Sequence, residues 1–566
     1  MRLLSVFGGA LGGVAALGIG SLIPAIRALP AWLRFPLSLL AGFSIAVFST
    51  VLASTCGAGP KSLRALSLIL VGIGIAGLAM APPVMRLPKW SVAGAFLFAG
   101  LVLTLLPALA PSSKADEIRY HMLVPQRIIQ DGGLQPYREP WEAAIYPQMG
   151  YQMTESLAWA WGLQDAPNLW SWLMTVAIAM LIAGSAKQLS NNTELALFAA
   201  AVAVLSLHPS VNLITAGSQA FGDLAMLVAV ILGLFPEDLV AVAPSTRILL
   251  VSVATCAVAI SKISVMPISL VILALAFVRG SSAVGYLKCV LIPLSIWAIG
   301  YMPLVVWSFL QTGSPFGIAT AGLFHSGFFG QATIGKLLAR QRLYRFARPS
   351  LFSIKAAIIE SGACILACIP ALLIVRRMRA VLVISAIQFA LVMTFLPKGQ
   401  RFMGGLQLAV LIVGVSALVR FNWRHIRLVM TAVCLMLMAL LTKYTMVYSR
   451  VAPGIETDSH FLARTVPLMD DFPKLDRILP PDAVLYAPSG YFPSIYSPRP
   501  VVFSRDDIRN GRPVFLISES RRQRHLVAVD GCTDLAYKND HAVIAAFRTR
   551  EPIRGLLRVT RCTFER

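Results

Sequence analysis

Acidic side chains are scarce over most of this 566-residue chain. Up to Val447 there are 12 Asp and Glu residues, and seven of them lie between Ser112 and Asp165. Charged residues of either sign make up only 13% of the chain, whereas hydrophobic residues make up 57% and the mean hydropathy is +0.73. A water-soluble fold of this size needs more polar residues than that. The composition therefore predicts a protein that crosses a membrane several times.

Other patterns are missing as well. The apolar and polar alternation of a membrane β-barrel is absent, and we find no inverted repeat of the kind seen in many transporters. No two cysteines have the C-x-x-C spacing of a zinc site. The formal charge of +23 comes mostly from Lys and Arg at the ends of apolar runs, without a soluble basic face. That distribution argues against nucleic acid as a partner.

Long apolar runs recur along the chain, and a helix needs roughly 20 apolar residues to cross a bilayer. We therefore predict about fourteen spanning helices. The first is read as a retained helix rather than a signal peptide, because it is long and further spans follow it. The predicted spans are 3–25, 36–54, 64–82, 90–110, 168–187, 194–208, 217–235, 247–261, 264–279, 288–309, 352–375, 379–396, 402–420 and 428–447.

Basic residues in the connections predict the orientation. Most of them, such as Arg27 and Arg427, fall on one side of the predicted spans. The positive-inside rule makes that side cytoplasmic. Arg2, Lys61 and Arg64 oppose the scheme. Three polar segments then lie together on the outer face, which we expect to be the periplasmic face of a bacterial inner membrane.

The predicted fold is a polytopic α-helical membrane protein with interfacial helices on its outer face and a small C-terminal α/β domain. Short β-type runs separated by Pro, Gly and Asp indicate that domain. Its only cysteines, Cys532 and Cys562, are expected to form a disulfide in the oxidising periplasm. The predicted divisions are a transmembrane extension (1–89), a core (90–447) with outer loops 111–167 and 310–351, and a periplasmic domain (448–566).

The first outer loop, which we call the acidic loop (111–167), holds seven of the scarce carboxylates. Helical spacing of apolar residues predicts one short helix from about 118 to 129 and a second from 148 to 161. Both are too short and too polar to span a bilayer. We expect them to lie along the membrane interface, with the aromatic anchors Trp141, Trp159 and Trp161.

The second outer loop contains a basic segment with helical spacing. One interpretation is a surface helix on anionic lipid headgroups. The other is a clamp for a phosphate, because guanidinium groups fit phosphate oxygens. Its basic residues are Lys336, Arg340, Arg342, Arg345 and Arg348.

Three charged residues interrupt apolar runs, namely Asp223, Lys262 and Glu360. Each would cost about 2.5–3.5 kcal/mol at the centre of a bilayer. We therefore expect Asp223 and Lys262 near the outer ends of their helices or beside a wet cavity. A structural salt bridge between neighbours is the alternative.

The order of residues in the acidic loop resembles the first outer loop of the GT-C glycosyltransferases, which include protein O-mannosyltransferases and lipid A aminoarabinose transferases. The similarity lies in the run from Asp116 to His121, then Pro125, Gly132, Tyr146-Pro147 and Glu155. Later stretches are similar too: GDLAMLVAVILGL, AVAISKISVMPISLVILAL, WSFLQTGSPFG and LPKGQRFMGGLQLAVLI. The resemblance covers about residues 90 to 450.

This resemblance implies transfer of a sugar from a polyprenyl-phosphate donor to a lipid, glycan or protein acceptor at the outer face. It implies that Asp116 acts on the acceptor, and that His121, Tyr146 and Glu155 belong to the substrate site. The Lys-Pro-Pro motif of the aminoarabinose transferases is absent, so their acceptor does not carry over. Four helices precede the acidic loop, where the family often has one.

Such a transfer needs a base near the acceptor and positive charge near the phosphate. Asp116 or Glu117 would be the base, although capping of the following helix is the alternative for Asp116. His121 is either a second proton carrier or an interfacial hydrogen-bonding residue. The phosphate would be stabilised by some of the basic residues Lys336, Arg340, Arg342, Arg345, Lys398 and Arg401. No cofactor is implied with certainty, and a divalent cation is an alternative source of positive charge.

Two other function classes remain open at this stage. A transporter or flippase for a lipid-linked saccharide would use Asp223, Lys262 and Glu360 as coupling groups within the membrane. A non-catalytic assembly subunit is the third.

Overall fold

The structure is a computed structural model of the chain. The residues it describes are 2–82, 91–114, 117–140, 142–206, 217–237, 239, 242–331, 333–335, 337–339, 367–372, 375–395, 403–466, 468–488, 493–508, 512–521, 532–543 and 553–562.

Helices dominate the membrane part, and among the residues that the structure describes six are long and apolar enough to cross a bilayer. A further pair meets the criterion only as one span bent by 46°. Pro303 explains the bend, because its ring prevents a straight helix through residue 299. The six are α1 (Arg2–Ser21), α2 (Ala31–Thr55), α3 (Pro60–Met80), α7 (Ala166–Ser190), α10 (Pro244–Ser261) and α16 (Trp423–Thr445), and the bent pair is α12 (Tyr286–Gly300) and α13 (Met302–Thr312).

Other apolar helices fall short of that test. They are α4 (Val92–Ala108), α8 (Thr193–Leu205), α9 (Gln219–Leu234), α11 (Met266–Val284), α14 (Val375–Phe395) and α15 (Leu406–Ala417). Helices thus occupy the predicted positions up to residue 309 and again from 379 onward. The predicted span 352–375 lies largely outside the described residues, as does Glu360. By length and composition, the described residues thus contain six or seven candidate spans, as in a multi-pass membrane protein.

The N-terminal helices pack into the body of the protein. A Cβ added at Gly18 would overlap the carbonyl of Gly74, and one at Gly42 would overlap the carbonyl of Ala16. Glycine therefore lets the backbones of α1, α2 and α3 touch, as in many membrane helix pairs. Helix α1 also contacts α7. The predicted N-terminal extension thus packs against the core. Its predicted boundary, at residues 89 and 90, falls among residues that the structure does not describe.

Two of the basic residues that opposed the predicted orientation bind protein groups. Arg2 Nε donates to the carbonyl of Leu109 (3.0 Å), and its guanidinium pairs with Asp458 (3.6 Å). Arg64 Nε donates to the carbonyl of Ala160 (2.5 Å), and the guanidinium lies over the ring of Trp161. These side chains are held by the outer polar segments, so they are compatible with an outer position.

The two helices of the acidic loop are buried, which corrects the prediction that they lie along the membrane interface. They are α5 (Leu123–Gln130) and α6 (Gly150–Trp159). All ten residues of α6 are buried. Of the predicted anchors, Trp159 is buried, Trp161 is 47% exposed, and Trp141 lies outside the described residues. The prediction failed because α5 packs against the C-terminal domain and α6 packs against α5 and the helices α2, α3 and α10. These are tertiary contacts that the local composition does not show.

The C-terminal domain contains helices α17 (Asp458–Thr465) and α18 (Phe472–Ile478) and a mixed five-stranded sheet. Strands β1, β2 and β3 are parallel, and β5 pairs antiparallel with β3 and β4 in the order β2-β1-β3-β5-β4. Leu123 of α5 joins the apolar core between α18 and the sheet. The strands are Val484–Tyr486, Val501–Val502, Val514–Arg521, Cys532–Val543 and Ile553–Cys562, numbered β1 to β5.

Cys532 and Cys562 lie opposite each other on β4 and β5 and form a disulfide. This confirms the predicted pairing. A structural disulfide fits a domain outside the cytoplasm.

Candidate functional site

Of the twelve predicted site residues, the structure describes six and does not describe the other six. The described ones are Glu117, His121, Tyr146, Glu155, Asp223 and Lys262. Asp116, Arg340, Arg342, Arg345, Lys398 and Arg401 lie outside the described residues, as does Lys336. The site is therefore built below from the residues around Glu117, His121 and Glu155 and from the neighbouring Asp223 and Lys262.

A single turn of π-helix spans Glu117–His121. Its wider winding is visible in the bond from the Met122 N–H to the Glu117 carbonyl (3.0 Å), which joins residues five apart. Such turns often occur at functional sites. The Glu117 side chain is buried, and its Oε2 accepts from the Lys114 N–H (3.5 Å). Burial lowers the pKa of Lys114 to about 8, an effect opposed by the negative charge of Glu117.

Helix α6 brings a second carboxyl group beside the first. Gly150 at its start permits close packing, since a Cβ there would overlap Ile260 of α10. Glu155 is fully buried, and neither of its carboxyl oxygens has a hydrogen-bond partner among the described residues. Burial, together with the charge of Glu117, raises the pKa of Glu155 well above its usual range. The surroundings of Glu155 thus favour its neutral form, whereas Glu117 has a hydrogen-bond donor in the Lys114 N–H.

Gln152, one turn before Glu155 on α6, connects the acidic loop to the helices. Its Nε2 donates to His121 Nδ1 (2.9 Å) and to Ser218 Oγ (3.3 Å). Because an amide nitrogen only donates, His121 Nδ1 is the acceptor, and a neutral His121 carries its proton on Nε2. Ser218 immediately precedes α9. His121 is therefore a partly buried residue with a hydrogen bond to α6.

A polar pocket continues from Ser218 into the helices. Gln219 Nε2 donates to Asp223 Oδ1 (2.8 Å), and Lys262 Nζ donates to Gln219 Oε1 (2.6 Å). The cavity has a volume of about 10 Å³, which is room for roughly one water molecule, and Gly404 completes its wall. Asp223 lies in the second turn of α9 and Lys262 directly after α10. Both residues thus lie near helix ends and beside a cavity, with Gln219 linking them; that these ends face outward stays a prediction.

Tyr146 holds the second half of the acidic loop in place. Its buried hydroxyl donates to the Tyr137 carbonyl (2.6 Å) and accepts from the Tyr137 N–H (2.9 Å). The ring packs edge-on against Trp307 of α13. The geometry gives Tyr146 a structural role.

The C-terminal domain completes the outer side of the site. The Tyr496 hydroxyl donates to the Ser112 carbonyl (2.5 Å), and Gln126 Nε2 donates to the Ser494 carbonyl (3.2 Å). Burial, with a smaller contribution from the charges of Asp165 and Glu117, raises the pKa of Tyr496 well above its usual range. Tyr496 is thus a neutral hydrogen-bond donor beside the acidic loop.

All three outer segments meet at Arg138. Its Nε donates to the Phe328 carbonyl of the second outer loop (2.7 Å), and the guanidinium stacks on the Phe328 ring (4.4 Å). The same guanidinium forms an ion pair with Asp507 of the C-terminal domain (3.1 Å). The predicted convergence of the three segments on one face is therefore present in the described parts of each.

Sequence reasoning missed Gln152, Gln219 and Tyr496. The i, i+3 spacing of Gln152 and Glu155 places both side chains on one face of α6, and this spacing is visible in the sequence. Gln219 stands one helical turn before Asp223 and was detectable in the same way. Tyr496 has no such signal, because it meets the acidic loop only through the docking of the C-terminal domain.

Chemically, the site combines an ionisable carboxyl group, a carboxyl group that favours its neutral form, an imidazole and a lysine. These are the groups needed for proton transfer beside a polar pocket. Among the described residues, no group of three or more His, Cys, Asp or Glu side chains is placed to hold a metal ion. Comparison with protein-family models and with curated proteins gave no match.

Proposed function

We propose that this protein is a membrane glycosyltransferase. It moves a sugar from a polyprenyl-phosphate donor to a lipid, glycan or protein acceptor at the outer face of a bacterial inner membrane. The supporting observation is the pair Glu117 and Glu155, two buried carboxyl groups in unequal surroundings. They lie where apolar helices meet a disulfide-bonded domain. In such a place a lipid-linked donor and a water-borne acceptor can meet.

In the proposed reaction, Asp116 accepts the proton of the acceptor hydroxyl, and Glu117 next to it maintains the negative charge of the site. A bond forms between the acceptor oxygen and the anomeric carbon of the sugar. The bond from that carbon to the phosphate oxygen breaks, and polyprenyl phosphate leaves with the bonding electrons. Positive charge at the departing phosphate lowers the barrier.

The basic residues assigned to that phosphate are Lys336, Arg340, Arg342, Arg345, Lys398 and Arg401. Lys398 and Arg401 precede Gly404 in the chain, and Gly404 lines the Asp223–Lys262 pocket. Replacement of Arg342 or Arg345 by Ala is expected to weaken donor use without unfolding the protein, since exposed arginines contribute little to stability. Unchanged donor affinity after charge reversal of this segment would leave it as a lipid-headgroup anchor.

The membrane arrangement in this proposal has about fourteen spans, including the shorter apolar helices α4, α8, α9, α11, α14 and α15. The C-terminal domain is periplasmic. Labelling of single engineered cysteines with a membrane-impermeant thiol reagent tests this orientation. Reaction in the C-terminal domain of intact spheroplasts is expected, and reaction only after lysis would reverse the topology.

A transporter for a lipid-linked saccharide is the second candidate. It is favoured by the polar path from His121 through Gln152 and Ser218 to the Asp223–Lys262 pocket. Mass spectrometry of glycolipids from a deletion strain separates the two functions. Loss of one sugar from the mature glycolipid supports the transferase. Accumulation of the complete lipid-linked saccharide on the inner face supports the transporter.

A further inference from the structure

Two interactions link the π-helical turn to α6. His121 faces Gln152 through a direct hydrogen bond (2.9 Å). Glu117, four residues before His121, interacts electrostatically with Glu155, three residues after Gln152. Both carboxyl groups are withdrawn from solvent, with 4% of Glu117 and none of Glu155 exposed.

The surroundings of the two carboxyl groups are unequal. Glu117 accepts from the Lys114 N–H (3.5 Å) and interacts with the Lys114 charge. Glu155 has no hydrogen-bond partner for either oxygen among the described residues. An ionised carboxylate without donors is costly to bury, whereas a neutral carboxylic acid is much less so. Two neighbouring buried carboxyl groups also resist simultaneous ionisation.

Other charged groups near α6 do not remove this difference between Glu117 and Glu155, because they bind other partners. Arg64 Nε donates to the Ala160 carbonyl, Arg127 donates to the Val501 carbonyl, and Arg247 pairs with Glu237. Tyr151, on α6 itself, has its own pKa raised by burial and by Glu155. Asp116 and the side chain of Arg119 lie outside the description. The titratable side chains on the elements packed against α6 are Arg34, Lys61, Arg64, Arg127, Tyr146, Lys187, Arg247 and Cys256.

We propose that Glu117 and Glu155 form an acid pair that holds one proton, with the proton on Glu155 and the negative charge on Glu117. In this arrangement Glu155 is a positioning residue that acts through Glu117. Its neutral state leaves Glu117 as the ionised group of the pair. This inference deepens the proposed function, since it identifies which of the two acids is available to accept a proton or bind a cation. The protonation states themselves do not depend on the reaction catalysed.

Infrared difference spectroscopy of the purified protein tests the proposal without any activity assay. At neutral pH the parent spectrum minus the Glu155→Gln spectrum should contain the C=O stretching band of a protonated carboxylic acid. Loss of a carboxylate band in its place would overturn the proposal. Glu155→Leu provides the same comparison should the Gln variant not fold. Glu237→Gln is the matched control, because Glu237 is 74% exposed and its removal should affect only the carboxylate bands.

The pairing is tested by titration. Glu117→Gln removes the neighbouring negative charge, so the carboxylic acid band of Glu155 should ionise at a pH lower by about one unit. An unchanged midpoint would mean that Glu155 is neutral through burial alone and that the two acids do not share a proton. Because these readouts require no turnover, a protein inactive in glycosyl transfer would still confirm or contradict the pair.

Discussion

Two parts of the acidic loop differ in how their buried polar groups are bonded. In the second half before α6 (134–146), the Tyr146 hydroxyl both donates and accepts, and Arg138 binds Phe328 and Asp507. In helix α6, which binds His121 of the first half, the Glu155 carboxyl and Gln152 Oε1 have no hydrogen-bond partner among the described residues.

This difference in hydrogen bonding distinguishes a structural part of the loop from a candidate functional part. Buried polar groups in folded proteins are nearly always hydrogen-bonded, so each exception needs an explanation. Full bonding in the second half fixes the loop between the helices and the C-terminal domain. The unfilled bonding capacity of α6, beside the first half of the loop, is what a site for protons or substrate requires.

The largest expected effect is a loss of sugar transfer caused by a substitution in the first half of the loop. Asp116→Asn keeps the shape of the side chain and its capping ability but removes the proton-accepting charge. It should lower the rate of sugar transfer by about 10²–10⁴-fold. Glu117→Gln should cause a smaller loss. Transfer rates of well-expressed variants in membranes provide the measurement, and a rate for Asp116→Asn within a few fold of the parent would leave Asp116 with a capping role only.

The next largest effect is a loss of stability caused by a substitution in the second half of the loop. Arg138→Ala removes the ion pair with Asp507, which is only 9% exposed, and the bond to the Phe328 carbonyl. A destabilisation of about 2–4 kcal/mol is expected, because an unpaired buried carboxylate remains. Denaturant unfolding measures it. Arg427→Ala is the control, since 49% of the Arg427 side chain is exposed in its ion pair with Glu194. Equal destabilisation by both variants would contradict the structural role of Arg138.

A smaller loss of stability is expected when the hydroxyl oxygen of Tyr146 is removed. Tyr146→Phe leaves the Tyr137 N–H and carbonyl without partners at an otherwise unchanged ring. It should destabilise the protein by about 1–3 kcal/mol. Transfer per folded molecule should stay close to that of the parent. A large loss of activity in a stable Tyr146→Phe protein would instead place Tyr146 in the substrate site.

The smallest effect concerns the pH dependence of stability. The folded-state pKa of Glu155 is raised, so the folded state binds more protons than the unfolded state once the pH exceeds the ordinary Glu pKa. The contribution of Glu155 to stability therefore falls as the pH rises through that window. Glu155→Gln removes this loss, and its melting temperature at neutral pH should exceed that of the parent by about 1–3 °C. A variant less stable than the parent at neutral pH would contradict a neutral Glu155.

Much of the membrane part could be predicted from the sequence, since a helix such as α7 is a long apolar run. The cost of burying charge placed Asp223 and Lys262 at helix ends. The disulfide followed from the presence of only two cysteines in the C-terminal domain. Each of these inferences depends on local composition or on a count.

The failures share a tertiary cause. Helix α6 contains Gln152 and Glu155, and its polarity indicated an exposed interfacial helix. The structure buries it against the helices α2, α3, α5 and α10, most of which are distant from it in the chain. The contact of Tyr496 with Ser112 arises from the docking of the C-terminal domain. No periodicity within the acidic loop contains information about these contacts.

The most direct test of glycosyl transfer follows both products of the reaction at once. Purified protein would be reconstituted in vesicles with lipid extract from a deletion strain as the source of donor and acceptor. Mass spectrometry would then quantify free polyprenyl phosphate and the newly glycosylated acceptor. The proposal predicts that both accumulate in equal amounts with the parent and not with Asp116→Asn. Movement of intact sugar-linked lipid across the vesicle membrane, without either product, would contradict it.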